Sequence, residues 1–96
     1  MKYFTRTEVL EILAIDETFL LALETEEIIE QVREGVGPTA TYSEVMLERV
    51  RVADNLVHEL DVNLAGVAVI VQMRETLADL RRQLEAAVVE LRTRHR

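Results

Sequence analysis

Ninety-six residues, about half of them apolar, make one small domain with a modest core. The chain has no cysteine, which excludes a disulfide framework and a thiolate metal site and suits a reducing compartment. Acids interrupt the N-terminal MKYFTRTEVLEIL, and no apolar run is longer than that from Val67 to Val71, far short of the roughly 20 residues of a membrane span. A soluble cytoplasmic protein is therefore expected.

The charge is uneven. Net charge is −7, yet residues 1–48 carry eleven acids against Lys2, Arg6 and Arg33, a net −8. Residues 49–96 carry seven acids against eight arginines, a net +1. Nothing basic stands between Arg6 and Arg33. A DNA-binding surface must neutralise phosphates with Lys or Arg, so the N-terminal half would repel DNA and attract a basic protein surface.

In chain order, Thr5 or Thr7 can cap a first helix to about Ala14, with Val9, Leu10, Ile12 and Leu13 as its apolar face and Glu8 at the positive end of the dipole. Asp16 caps a second helix to about Thr25, whose core side chains are Phe19, Leu20 and Leu23. Ile28 to Val32 has the β-branched bias of a strand, GVGP at 35–38 is a turn, and Thr39 to Tyr42 can return as a second strand. The three together predict a β-hairpin, or wing. Ser43 caps a third helix through about Leu60, with Val45, Leu47, Val50, Ala53, Leu56, Val57 and Leu60 available for burial.

Asp61-Val62 is a joint, and Asn63 caps a last helix to about Arg92. Along it Ile70, Met73, Leu77, Leu80, Leu84, Ala87 and Leu91 alternate by 3 and 4, the spacing of a coiled-coil seam. Thirty residues reach roughly 45 Å, so the seam is expected to pack on a second copy, the alternative being a helix that folds back on its own domain. Residues 1–62 thus form a winged helix-turn-helix unit and 63–96 a dimerisation helix. The basic LRTRHR at the end either complements the helix dipole or meets the acidic half of a second subunit.

This order resembles the MerR-like winged helix-turn-helix, mainly α with a small two-stranded wing and a long C-terminal helix. YFTRTEVLEILAID resembles that superfamily's opening, in which a short strand leads into helix one. TFLLALETEEII is similar to its TLRYYEREGLI segment, with Leu21 and Leu23 where an Arg and a Tyr usually face DNA. Ala14 and Glu27 stand where the superfamily has turn glycines. Within it, LVHELDVNLAGVAVI at 56–70, with the acidic first half, resembles the chaperone-modulator family typified by CbpM. The resemblance implies binding to the J-domain of a DnaJ-like co-chaperone of the CbpA type, whose basic helix engages DnaK, and inhibition of its stimulation of DnaK. The alternative is a DNA-binding regulator of the MerR or heat-shock-repressor kind.

On this reading Glu17, Leu21 and Glu24, at i, i+4 and i+7, form an outward stripe, joined by Glu26 and Glu27 and rimmed by Glu8 and Glu11. An ordinary solvated acidic face is the plain alternative. Two histidines, His58 and His95, give no zinc spacing, GVGP lacks the helix of a phosphate loop, and Ser43 has no histidine nearby. No catalysis, cofactor or metal is expected.

Overall fold

The computed structural model describes residues 2–32 and 41–95. In these, β1 (Tyr3–Phe4), α1 (Arg6–Leu13), α2 (Glu17–Thr25), β2 (Tyr42–Ser43), α3 (Glu44–Leu60) and α4 (Leu64–Arg94) follow one another. Each helix starts where a short polar side chain satisfies an otherwise unpaired backbone amide. Thr5 accepts from Glu8 N at 3.1 Å while Glu8 Oε1 accepts from Thr5 N at 2.9 Å, a reciprocal box. Asp16 accepts from Phe19 N, Ser43 from Met46 N and Asn63 from Gly66 N.

The sheet is built from other segments than the apolar runs predict. β2 pairs antiparallel with β1, Tyr3 opposite Ser43 and Phe4 opposite Tyr42, and not with the stretch after α2. Ile28 and Ile29 are both buried, at 4% and 2% exposure. A strand sends successive side chains to opposite faces, so two buried neighbours here belong to a turn wrapped over the core. Among the described residues, Val32 N donates to Thr41 O and so joins the two arms of the expected wing. The GVGP turn and Thr39 lie outside the described residues.

The core is one cluster of apolar side chains from every helix. Val9 comes from α1, Leu20 and Leu23 from α2, Met46, Val50, Val52 and Ala53 from α3, and Val67 and Val71 from α4, with the fully buried Tyr42 of β2 among them. Three expected core positions face solvent instead: Ile12, Val45 and Leu60. The buried stripe of α3 runs through Met46, Val50 and Ala53 at i, i+4 and i+7. Val45 stands in the first turn of α3, and Leu60 at its last residue.

Two opposite faces of α4 have different fates. Val67, Val71 and Glu75 turn toward α3, where Arg49 clasps Glu75 through two bonds of 2.7 Å and donates to Ile28 O at 3.1 Å. That one guanidinium ties α3, α4 and the turn after α2 together. The seam points the other way. Met73, Leu77, Leu80, Leu84 and Leu91 are all more than half exposed, and Ile70 alone of the larger seam residues is partly covered. The helix does not fold back on its own domain. At about 1.5 Å per residue its 31 residues reach about 46 Å, in a molecule 55 Å long.

Candidate functional site

α2 presents the stripe expected of it, but the stripe is not uniform. Leu21 is 55% exposed, and the Glu17 side chain is 61% exposed. Thr25 closes the face by donating its hydroxyl to Leu21 O at 2.9 Å. Glu24 departs from the expectation, because only 18% of its side chain is exposed. Its carboxylate is used within the chain. Leu23, aligned with a DNA-facing tyrosine, is fully buried, so that position belongs to the core and Leu21 alone replaces an outward DNA-reading side chain.

The residue that organises this face is Arg6, at the start of α1. Its Nε donates to Glu17 Oε1 at 2.6 Å, and its Nη1 donates to Glu24 Oε1 and to the Tyr42 hydroxyl, each at 2.6 Å. The Tyr42 hydroxyl donates in turn to Glu24 Oε2 at 3.0 Å, and Gln31 Nε2 donates to the same oxygen at 2.9 Å. A single network thus joins α1, both ends of α2, the chain after α2, and β2. Nothing in the spacing of the glutamates reveals it. The only sequence signal is that Arg6 is one of three bases in an acidic half.

The network's electrostatics follow from partial burial. Burial pushes the Glu24 carboxyl up, but the hydrogen bonds from Arg6, Gln31 and Tyr42 and the attraction of Arg6 outweigh it and hold the carboxyl below the usual range. Burial and the hydrogen bond to Glu24 push the Tyr42 phenol up to about 12. For Arg6 burial works against the charge, and its bonds to Glu24 and Glu17 more than restore it. Arg6 is a committed counter-ion.

Of the other expected contact residues, Glu8, Glu11, Glu26 and Glu27 are exposed and make no ion pair among the described residues. Glu30 shares that condition, and with Glu24, Glu27, Ile29 and Gln31 it lines an acidic depression beside the end of α2. Glu27 owes its outward position to a left-handed backbone, φ 58°. Ala14 has φ 53°. Both turns therefore keep the conformation that glycine adopts most easily, although neither residue is glycine.

His58 bridges locally, its Nδ1 2.8 Å from Asp54 Oδ1 and its ring 4.9 Å from that of Phe19. Among the described residues no group of three or more His, Cys, Asp or Glu is arranged to hold a metal ion. None of the described helices is long and apolar enough to cross a membrane.

The helix-turn-helix of α1 and α2, the small β1–β2 sheet, α3 and the long α4 make the frame of a winged helix-turn-helix protein. The sequence profile of the MerR HTH family of regulatory proteins matches residues 4–88, nearly the whole chain, and the protein belongs to that family. No match was found among curated proteins or among solved structures.

Proposed function

We propose that this chain is a protein-binding member of its regulatory family. It engages the basic J-domain surface of a DnaJ-like co-chaperone of the CbpA type and inhibits stimulation of DnaK by covering that surface. The observation that carries this reading is Leu21, exposed on α2 where the superfamily presents arginine, with Glu17 beside it and Glu26 and Glu27 at the end of the helix. An apolar anchor with a charged rim is the anatomy of a protein interface, the anchor supplying energy and the rim setting encounter rate and partner choice. Among the described residues the arginine at this face is Arg6, which is already held by Glu17 and Glu24 and has little to offer a phosphate. Glu24 supports the face from within, while Glu17, Leu21, Glu26 and Glu27 touch the partner and Glu8 and Glu11 form an outer rim. The uncovered seam of α4 joins two copies through Ile70, Met73, Leu77, Leu80, Leu84, Ala87 and Leu91.

Calorimetric titration with a purified J-domain tests the reading. Leu21→Ala is expected to weaken binding about tenfold, or about 1.4 kcal/mol. Glu17→Lys should weaken it about threefold at low salt and less at high salt. A folded protein that ignores the J-domain but shifts a DNA duplex in fluorescence anisotropy would replace this reading with a DNA-binding regulator.

A further inference from the structure

We infer that Arg6 is a built-in counter-ion that sets how strongly the α2 face attracts a basic partner. The inference rests on the reading above and names the residue that regulates that face. Arg6 is the only base between Lys2 and Arg33, and its guanidinium spans both ends of the acidic stripe, Glu17 at the start of α2 and Glu24 near its end. The intramolecular pairs compete directly with any external cation for the same oxygens. Glu17 is the contested member, because its side chain is 61% exposed while that of Arg6 is only 28% exposed.

The geometry separates two jobs. Through Glu24 and Tyr42 the guanidinium holds the inner end of α2 against β2, which is support. Through Glu17 it removes charge from the rim, which is tuning. Leu21 lies between these ends on the same stripe, so the face presents an apolar anchor whose flanking acids are partly neutralised in advance. Attraction is then left chiefly to Glu26, Glu27 and Glu30 at the far end of the helix. A partner would be drawn first to that corner and only afterwards settle on Leu21.

The test compares association rates across ionic strength for wild type, Arg6→Gln and Arg81→Gln. The last removes one charge on the exposed part of α4, so all net-charge effects are matched. Two probes are used, the purified J-domain and hexalysine. Arg6→Gln is expected to raise the low-salt association rate about threefold and to steepen its fall with salt, whereas Arg81→Gln changes it far less. The double variant Arg6→Gln/Glu24→Gln removes the half-buried carboxylate that would otherwise lose its partner, and it should keep part of the gain because Glu17 stays released.

An Arg6 that only supports the fold predicts a different result: slower or unchanged association with both probes and an unaltered salt slope. That result overturns the inference, as does an equal response from Arg81→Gln. A steeper slope with hexalysine and no binding of the J-domain by wild type would support the role of Arg6 while refuting the partner proposed above.

Discussion

Glu24 carries the clearest difference between an expected surface charge and an internal one. Its folded pKa lies below the ordinary glutamate value, so the stability it contributes is fully present above about pH 4.3 and is lost as pH falls through the lower folded value. Wild type should therefore exceed Glu24→Gln in stability at neutral pH, and the gap should close as pH falls through the ordinary glutamate range and below it. Denaturant unfolding of the two proteins at several pH values checks this. A gap that stays constant would mean that the carboxylate is not ionised in the network or gains nothing there. Tyr42 explains why the network is legible only in three dimensions. In the sequence it only ends an expected strand, and its hydroxyl meets Arg6 and Glu24 because β2 pairs with β1.

Turns between the helices show which local rules the sequence obeys and which it breaks. Capping residues are legible by eye, and Thr5, Asp16, Ser43 and Asn63 all start helices at the expected places. The left-handed positions are not, because Ala14, Glu27 and Asp61 lack the usual glycine or asparagine signal. A non-glycine residue in that region costs roughly 1–2 kcal/mol. Ala14→Gly and Glu27→Gly should each stabilise the fold by about 1 kcal/mol, read as a higher thermal midpoint. Loss of stability in both would show that those backbones are not strained. Gly66 is the opposite case. A Cβ there would meet Val62 Cγ1 at 2.8 Å, so any other residue would make the Val62 side chain or the α3–α4 joint shift.

Seen as a whole, the molecule is a compact body with one helix running past it. The body buries Val67 and Val71 of α4 and leaves the far side of that helix bare. Leu80→Asp should abolish self-association in sedimentation equilibrium while the melting of the body changes little, since Leu80 is 53% exposed and stands outside the core cluster. A wild type already monomeric at high concentration, with Leu80→Asp indistinguishable from it, would assign the seam to some other partner.

Local chemistry determined the helices, their caps, the seam period and the acidic bias of the first half, because each depends on residues within a turn or two of one another. The outward setting of Leu21 was legible for the same reason, since it follows from the period of one helix. Only the tertiary structure decided which strand pairs with β2, that the Ile28-Ile29 pair wraps the core, and that Arg6 and Arg49 are the cross-ties of the fold. Those outcomes join residues 18 to 38 positions apart, as in Arg6 with Glu24, Arg49 with Glu75 and Phe4 with Tyr42. Ion pairs and short β-bridges of that kind leave no periodic trace in a chain. Their partners are chosen by packing, and packing is a property of the folded whole.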